Sequence, residues 1–354
     1  MFDENPEQKV KDIGEQGLLQ KLHRFCPPDI IGDDAAVIKT LPEQSLIVTT
    51  DMLVDGVHFS DRTTSPEDAG WRAAAANLSD LAAMGSTPLG ITVGLAINGE
   101  TPVSWVEKLY QGMNDCLQIY HTPIVGGDVV RSPINTISIT AFGQANPNCI
   151  IRRGNAQPGD AIVVTGIHGA SKAGLELLLN PEIGKTLKDT EKNTLIKAHQ
   201  RPKPRLDILP ILWEILSSQS PGFDVSAQPN VPSPQSPIPI AGMDSSDGLA
   251  DAILQICNFS KVGAKIERSQ LPTPSAFHNW LSPQQSIEWV LYGGEDFELV
   301  LCLPSEIAES LVEKLGKDSS IIGRITKEKI VQITDNTGNY ADENLSLSQG
   351  FQHF

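Results

Sequence analysis

The sequence predicts an α+β fold built from two domains. Apolar, β-branched runs that predict strands are mixed with helical stretches, but they do not alternate in the regular order of a doubly wound parallel sheet. A chain of 354 residues also exceeds the usual size of a single hydrophobic core. We therefore expect residues 1–150 to form one domain and residues 151–354 to form a second, α+β domain.

The first half of the chain is expected to hold four strands and two helices. Apolar and β-branched runs predict the strands, and the helices are predicted from start signals and apolar spacing. The predicted strands span 45–50, 89–97, 123–125 and 135–144, and the predicted helices span 66–84 and 102–120. The first strand would deliver Thr49, Thr50 and Asp51 at its end, and the third would end at the Gly-Gly-Asp of 126–128.

The helix predicted from residue 66 has a clear start. Ser65 can cap it, Pro66 suits its first position, and acids follow in the first turn. Gly85 is expected to end it, which places Asp80 in the last turn. A carboxylate there is disfavoured by roughly 0.3–1 kcal/mol, because the negative end of the helix dipole is close. We expect a positive group near Asp80, and close packing around a helix that is rich in Ala on every side.

The second half is expected to begin at a junction over residues 152–160, which contains Gly154 and Pro158-Gly159. Strands are predicted from residue 161 and over 297–303, and helices over 170–179, 190–199 and 249–258. The segment 217–239 is rich in Pro, Ser and Gln, and it has too little apolar surface to order itself. We expect a flexible surface insertion there.

The charge of the chain limits its partners. The formal net charge is −16, so phosphate repulsion argues against nucleic acid or an anionic membrane as a partner. The sequence shows no signal peptide, no apolar run of membrane-spanning length and no Cys-x-x-Cys pair among its five cysteines. We expect a cytoplasmic protein that binds neither nucleic acid nor membrane.

Six acidic motifs set among Gly, Ser or Thr are the main clue to function. They are Gly-Asp-Asp at 32–34, Thr-Thr-Asp at 49–51, Ser-Asp at 79–80, Gly-Gly-Asp at 126–128, Asp-Ser-Ser-Asp-Gly at 244–248 and Gly-Gly-Glu-Asp at 293–296. Gathered carboxylates repel one another unless a cation neutralises them. Magnesium fits, because it takes oxygen ligands from carboxylates and substrate phosphates. Taken singly, each motif could also be an ordinary turn in which Asp bonds its own backbone.

A bound nucleotide would not use a P-loop, because the Gly-x-x-x-x-Gly-Lys-Ser/Thr pattern is absent. Metal ions would then hold the triphosphate. This suits phosphoryl transfer, which depends on positioning and charge neutralisation. The residue pattern leaves two roles for each of two further residues. His58 is either a structural imidazole or a site residue. Arg153 is either a surface ion-pair partner or a clamp on phosphate.

Several longer motifs carry a family resemblance. In chain order they are Ile-Gly-Asp-Asp-Ala-Ala-Val, Thr-Thr-Asp-Met-Leu-Val-Asp-Gly-Val-His-Phe, Asn-Leu-Ser-Asp-Leu-Ala-Ala-Met-Gly, Val-Gly-Gly-Asp, Arg-Pro-Lys-Pro-Arg and Ser-Asp-Gly-Leu. Together they resemble the thiamine-monophosphate kinases of the aminoimidazole ribonucleotide synthetase superfamily. The resemblance runs from about Gly14 to the closing Gly-Phe-Gln-His-Phe, apart from the Pro-rich insertion. It implies that superfamily's two-domain fold, a homodimer formed through the amino-terminal sheet, and an active site between the domains.

The resemblance also implies a reaction and a set of site residues. ATP and thiamine phosphate would give ADP and thiamine diphosphate by in-line transfer with several Mg²⁺ ions. The family's metal-binding positions correspond to Asp34, Thr49, Thr50, Asp51, Asp80, Asp128, Asp244 and Asp247. The positions that contact ATP correspond to Gly127, Asp128, Arg153 and Ser246, and those that contact thiamine phosphate correspond to His58, Glu295 and Phe351.

One departure and two alternatives qualify the resemblance. Many relatives carry Trp or Tyr where this chain has Phe351, so ring stacking is retained while a side-chain hydrogen bond is lost. The first alternative is another ATP-dependent synthetase or kinase of the superfamily. A selenophosphate synthetase would be expected to carry a reactive Cys in a Gly-rich segment, which Cys26 beside Pro27 does not resemble. The second is a non-catalytic cation- or nucleotide-binding module, which need not retain His58 and Glu295.

Overall fold

The computed structural model describes residues 8–27, 36, 38–219 and 239–346, and it divides the chain into two compact units. The amino-terminal unit comprises Met1–Pro42, Leu46–Leu81 and Thr87–Gln144. The carboxy-terminal unit comprises Glu43–Ser45, Ala82–Ser86 and Ala145–Phe354. Two separate sheets are present, which agrees with the predicted α+β class. The domain limits of 1–150 and 151–354 stay predictions.

The amino-terminal unit consists of helices and a four-stranded sheet. Its helices are Val10–Leu22 (α1), Pro66–Ala83 (α2) and Val103–Ile119 (α3). Its strands are Ser45–Val54 (β1), Thr87–Ile97 (β2), Ile124–Arg131 (β3) and Thr136–Ala145 (β4). The strand order is β1-β4-β2-β3, with β2 antiparallel to β4 and parallel to β3. Buried and partly exposed side chains alternate along β4, as expected for a sheet that is covered on one face.

The limits of α2 confirm the prediction for this helix. The backbone N–H of Asp68 donates to Oγ of Ser65 at 3.1 Å, and Pro66 occupies the first helical position. Just after the helix, Gly85 has φ +71°, a conformation that suits glycine. Side chains on nearly every side of α2 are buried, so the Ala-rich composition serves close packing.

Two glycines bring α2 and α3 into backbone contact. A Cβ atom added at Gly70 of α2 would lie 1.8 Å from the carbonyl oxygen of Leu109. A Cβ atom at Gly112 of α3 would lie 1.7 Å from the carbonyl oxygen of Glu67. Neither position has room for a methyl group, so main chain packs against main chain. Asp80, in the last turn of α2, therefore belongs to a closely packed pair of helices.

Two strand predictions were wrong at their ends. β1 continues to Val54, so Thr49, Thr50 and Asp51 lie inside the strand and not at its end. β3 runs through Gly-Gly-Asp to Arg131, although those glycines suggested that the strand would stop there. The reason is pairing with β2, because Gly127 lies beside Val93 in the parallel register. Hydrogen bonding to a neighbouring strand therefore overrides the local preference of glycine for turns.

The carboxy-terminal unit holds the larger sheet. Its helices are Ala170–Leu179 (α4), Asp189–Gln200 (α5), Ile208–Gln219 (α6), Leu249–Ser260 (α7), Pro283–Tyr292 (α8) and Ser305–Leu315 (α9). Its strands are Ala161–Thr165 (β5), Ala241–Asp244 (β6), Gly263–Glu267 (β7), Leu299–Leu303 (β8), Ser319–Thr326 (β9), Val331–Thr334 (β10) and Glu343–Asn344 (β11). The order is β11-β10-β7-β9-β5-β8-β6; β10 pairs with β7 in parallel, and the other pairs are antiparallel.

The core of this unit lies against the middle of the sheet. Every residue of β5 and β8 is buried, as expected for strands covered on both faces. No helix was predicted at α6, whose Leu212, Ile215 and Leu216 are buried. The segment 217–239 was predicted as a flexible insertion, but its first three residues belong to α6, which continues to Gln219. Residues 220–238 lie outside the described part of the chain. Among the described helices, none combines the length and apolar character needed to cross a membrane.

Candidate functional site

In the amino-terminal unit, β1 and α2 bring two predicted metal-binding residues together. The Thr49 hydroxyl donates to the Asp80 carboxylate. Asp80 lies in the last turn of α2, where the helix dipole disfavours a negative charge. The hydrogen bond from Thr49 partly offsets that effect by stabilising the Asp80 carboxylate. The contact we find is a neutral donor, and the positive group expected near Asp80 stays a prediction. Asp51 lies on the same side of β1 as Thr49, because side chains alternate along a strand.

Thr50 and Asp128 lie on the other face of this sheet. The Oγ1 atoms of Thr50 and Thr140 are 2.8 Å apart across β1 and β4. The sheet register then places Thr140 beside Thr92, and Asp128 of β3 beside Gly94 of β2, so Asp128 shares the face of Thr50. The predicted ligands of this unit that the structure describes are therefore divided between the two faces of one sheet.

Gly127 is required by the approach of β2 to β3. A Cβ atom at this position would lie 2.2 Å from the carbonyl oxygen of Val93. At the preceding Gly126, a Cβ atom would lie 3.8 Å from Cγ2 of Thr92, which is an ordinary contact. Gly127 thus sets the spacing of the strand that carries Asp128, whatever contact it makes with a nucleotide.

His58 is held within the turn that follows β1. Its backbone N–H donates to the carbonyl oxygen of Val54 at 2.9 Å, and its ring Nδ1 accepts from the Val54 N–H at 3.2 Å. An accepting Nδ1 means a neutral ring with the proton on Nε2. The turn therefore gives His58 a structural partner and orients Nε2 as a donor. Its contact with thiamine phosphate stays a prediction.

In the carboxy-terminal unit, the Asp-Ser-Ser-Asp-Gly segment links β6 to α7. Asp244 ends β6 and is buried, and Oγ of Ser246 donates to Oδ1 of Asp244 at 2.9 Å. Asp247 is exposed. Gly248 follows with φ +108°, which an L side chain rarely adopts, and α7 begins directly after it. The segment therefore turns sharply between an enclosed and an exposed carboxylate.

The Gly-Gly-Glu-Asp segment is bonded to this turn. The backbone N–H of Glu295 donates to the carbonyl oxygen of Ser246 at 2.7 Å. Glu295 has φ +66° and Phe297 has φ +53°, although neither is glycine. Such left-handed residues cost roughly 1–3 kcal/mol and are concentrated at functional sites. The close contact with Ser246 supports the prediction that these two motifs belong to one site.

Three acids of the Glu-Asp-Phe-Glu run each have a partner on a different element. Oε2 of Glu295 lies 3.7 Å from Nδ1 of His199. The buried Asp296 carboxylate accepts from the backbone N–H groups of Gly169 at 2.6 Å and Ser171 at 2.8 Å. Burial raises the pKa of Asp296 to about 7, although those two hydrogen bonds act in the opposite direction. Asp296 therefore changes charge near neutral pH.

Glu298 is paired with a cation from the Arg-Pro-Lys-Pro-Arg motif. Nη1 of Arg205 donates to Oε2 of Glu298 at 2.6 Å, and Oγ1 of Thr165 donates to the same oxygen at 2.6 Å. Burial raises the pKa of Glu298, and the Arg205 charge opposes that shift. Sequence reasoning quoted the motif but gave Arg205 no role. The available signal was a cation that directly follows a proline, which does not identify its partner.

Arg153 is oriented by α7. Its Nη1 donates to Oε1 of Gln255 at 2.6 Å, and Nε2 of Gln255 donates to Oδ2 of Asp251 at 2.6 Å. Burial raises the pKa of Asp251, and the nearby Asp247 charge adds to the rise. Arg153 is therefore held by a relay on the helix that begins beside Asp247. Its hydrogen-bond partner is the Gln255 amide, and its charge also acts on the nearby Asp251 carboxylate.

Two predicted site residues cannot be placed. Asp34 and Phe351 lie outside the described residues, as do the rest of the Gly-Asp-Asp motif and the closing aromatic motif. Within residues 8–27, 36, 38–219 and 239–346, no three His, Cys, Asp or Glu side chains form a group that could hold a metal ion. The pairs Thr49–Asp80 and Ser246–Asp244 do present hydroxyl and carboxylate oxygens, which are the donors that Mg²⁺ prefers.

Comparisons with known proteins identify the family. Residues 32–145 match the family described as AIR synthase related protein, N-terminal domain. The thiamine-monophosphate kinase of Synechococcus elongatus is 48% identical over 350 residues, which is 98% of this chain and 98% of that protein. The chain belongs to the thiamine-monophosphate kinase family.

Solved structures agree with this family and with its fold. The thiamine-monophosphate kinase of Stenotrophomonas maltophilia aligns with a TM-score of 0.72 at 29% identity, covering 90% of this chain and 94% of that one. AaThiL complexed with AMPPCP and TMP aligns with a TM-score of 0.67 at 28% identity, covering 96% of this chain and 98% of that one. The predicted family and its α+β fold, that of the aminoimidazole ribonucleotide synthetase superfamily, are thereby confirmed.

Proposed function

We infer that this chain transfers the γ-phosphoryl group of ATP to thiamine phosphate, giving ADP and thiamine diphosphate. The observation that carries this function is the 48% identity to the Synechococcus elongatus thiamine-monophosphate kinase over 98% of both chains. The complex of AaThiL with AMPPCP and TMP, at 28% identity, supports the same pair of substrates. In the reaction, an oxygen of thiamine phosphate forms a bond to the γ-phosphorus while the bond from that phosphorus to the ADP oxygen breaks.

We propose that Mg²⁺ is bound by carboxylate and hydroxyl oxygens of the acidic motifs. When bound, it would neutralise the phosphate charges that otherwise repel these carboxylates. The residues proposed to hold it are Asp34, Thr49, Thr50, Asp51, Asp80, Asp128, Asp244 and Asp247. Thr49 contacts Asp80 and Asp51 shares the face of Thr49, whereas Thr50 and Asp128 lie on the opposite face of the sheet. This division supports more than one magnesium position.

Other residues would bind and align the two substrates. Gly127, Asp128, Arg153 and Ser246 are proposed to contact ATP, and His58, Glu295 and Phe351 are proposed to contact thiamine phosphate. Arg153 is held at Nη1 by Gln255, which supports a role as a pre-oriented clamp on phosphate. The attacking phosphate oxygen is already ionised near neutral pH, so the chain needs no strong general base. Its side chains would act by alignment.

The reaction is tested by incubating the purified chain with ATP and thiamine phosphate, with and without Mg²⁺, and separating the products by chromatography. We expect thiamine diphosphate and ADP in equal amounts, and only when Mg²⁺ is present. ATP binding without thiamine diphosphate would instead favour another phosphoryl-transfer enzyme of the superfamily that uses a different acceptor.

The predicted cytoplasmic location stays a prediction.

We also propose a homodimer that forms through the open face of the amino-terminal sheet. Leu46, Val48 and Met52 of β1 are each more than half exposed, and Val130 of β3 shares their face by register. These four apolar side chains lie on the face of Thr50, opposite the buried side chains of β2 and β4. An apolar sheet face of this kind is typical of a protein interface. A second copy of the chain would cover it through the same surface.

A further inference from the structure

The packing of α4 against α5 fixes the position of a buried histidine. A Cβ atom at Gly174 of α4 would lie 2.1 Å from the carbonyl oxygen of Leu195 and 3.0 Å from Cβ of His199. Only glycine lets α5 approach this closely, so the backbone at His199 is set by main-chain contact. His199 itself is 2% exposed.

The ring of His199 lies between two groups of the candidate site. Its Nδ1 is 3.1 Å from Oγ of the buried Ser171 and 3.7 Å from Oε2 of Glu295. The backbone N–H of Ser171 donates to Oδ1 of Asp296 at 2.8 Å. Glu295 and Asp296 are neighbours in the chain, so the same turn of α4 holds one through its backbone and the other through His199.

The Glu295 side chain is partly exposed, although the backbone that carries it is held in place. Its backbone is already fixed, because its N–H donates to Ser246 and its φ is +66°. The side chain is 34% exposed, and its Oε2 atom is the one that lies near His199. A free Glu side chain loses up to about 2 kcal/mol of rotamer freedom when it is immobilised. A contact that orders it beforehand lowers the cost of binding substrate.

We propose that His199 is a positioning residue that holds the Glu295 carboxylate for thiamine phosphate. The inference rests on the proposed role of Glu295 in binding that substrate. The Nδ1–Oε2 separation of 3.7 Å is a close polar contact and not a hydrogen bond, so His199 acts by limiting where the Glu295 carboxylate can lie. Ser171 Oγ lies within hydrogen-bonding distance of the same nitrogen and restricts the rotation of the ring. His199 acts through Glu295 and does not touch the substrate.

The test compares four single variants and one double variant by steady-state kinetics with ATP and thiamine phosphate. His199→Leu removes the ring nitrogen, whereas His199→Asn retains an amide nitrogen near the position of Nδ1. Leu195→Ala is the matched control, because Leu195 is also buried on α5, one turn before His199. Glu295→Gln, alone and combined with His199→Leu, completes a double-mutant cycle.

We expect His199→Leu to raise KM for thiamine phosphate about fivefold, as for contacting pairs of modest coupling, with KM for ATP unchanged. In His199→Asn, KM for thiamine phosphate should return most of the way to the wild-type value. In the Glu295→Gln background, adding His199→Leu should not raise this KM further. Leu195→Ala should lower the melting temperature without raising KM for thiamine phosphate.

Three results would overturn the inference. A rise in both KM values that Leu195→Ala reproduces would make His199 a packing residue only. Additive effects of His199→Leu and Glu295→Gln would show that His199 does not act through Glu295. A normal KM for thiamine phosphate in Glu295→Gln would remove the role of Glu295, while wild-type turnover would still establish the reaction.

Discussion

Arg205 and Glu298 form a buried ion pair across 93 positions of the chain, with Nη1 of Arg205 2.6 Å from Oε2 of Glu298. Their side chains are only 5% and 13% exposed. Glu298 is two residues after Asp296 and three after Glu295, so the pair fixes the end of the segment that carries both acids. The Arg-Pro-Lys-Pro-Arg motif thus has a structural partner at the candidate site.

Replacement of Arg205 by Met is expected to destabilise the fold by about 3–5 kcal/mol, because it leaves the Glu298 charge buried and unpaired. The measurement is chemical denaturation. Lys203→Ala is the matched control, since Lys203 pairs with Asp207 at the surface of the same motif and should cost about 1 kcal/mol or less. Equal losses for the two variants would contradict a special role for the buried pair.

The stability of the fold is expected to fall as pH rises from about 4 to about 7. Burial raises the pKa of Asp296 from 3.8 to about 7, so in this window the folded state holds a proton that the unfolded state has released. The stabilising contribution is full below pH 4 and is lost as pH passes 7. Asp296→Asn should flatten this part of a plot of unfolding free energy against pH. An unchanged slope would assign the dependence to other groups.

Asp80→Asn is expected to weaken the response to Mg²⁺ and to lower turnover while the fold stays intact. The loss should at least match the roughly 10- to 100-fold effects seen for outer-shell partners of metals, because Asp80 is proposed as a direct ligand. Turnover is measured against Mg²⁺ concentration, with circular dichroism as the check on folding. Asp115→Asn on α3 is the control, since Asp115 accepts only within its own helix from Gln111 in the contact observed. Near-normal turnover with a normal spectrum would remove Asp80 from the metal site.

Gly127→Ala is expected to destabilise the amino-terminal sheet by about 1–3 kcal/mol, as overpacked positions do. The added methyl group would meet the carbonyl oxygen of Val93 at 2.2 Å. Gly126→Ala, one residue earlier, should cost less because its Cβ would lie 3.8 Å from Cγ2 of Thr92. Thermal unfolding of the two variants checks the difference. Similar melting temperatures would show that β2 and β3 separate easily.

Val48→Lys is expected to convert the proposed dimer into a monomer in analytical ultracentrifugation. A charge at this position would be buried without a partner if the sheet face is an interface. Ile330→Lys is the control, because Ile330 is 50% exposed but belongs to the carboxy-terminal unit. A wild-type chain that sediments as a monomer, or a dimer that survives Val48→Lys, would place the interface elsewhere or remove it.

Local signals in the sequence predicted what depends on local energies. Ser65, Pro66 and Gly85 predicted both ends of α2, because capping and left-handed turns involve only neighbouring residues. Gly127 was misread, because its strand conformation depends on pairing with Val93, 34 positions earlier in the chain numbering. The α6 helix was missed beside the Pro-rich segment.

The acidic motifs were found from composition and order, but their arrangement was not. The separation of Thr50 from Thr49 and Asp51 follows from strand alternation once β1 is known to continue through them. The partners of Glu295 and Glu298 come from α5 and from the segment before α6, and neither pairing leaves a mark in the local sequence. Long-range contacts of this kind require the fold.

The left-handed backbone at Glu295 lowers the thermal stability of the fold at a residue whose carboxylate is proposed to bind substrate. Glycine would relax φ +66° at this position, whereas glutamate holds that angle only because its surroundings impose it. A library selected for survival on heating alone would therefore be enriched in Gly at residue 295 and would discard the carboxylate. Selection for growth without supplied thiamine diphosphate would instead retain Glu at residue 295. The two selections would therefore favour different amino acids at this one position.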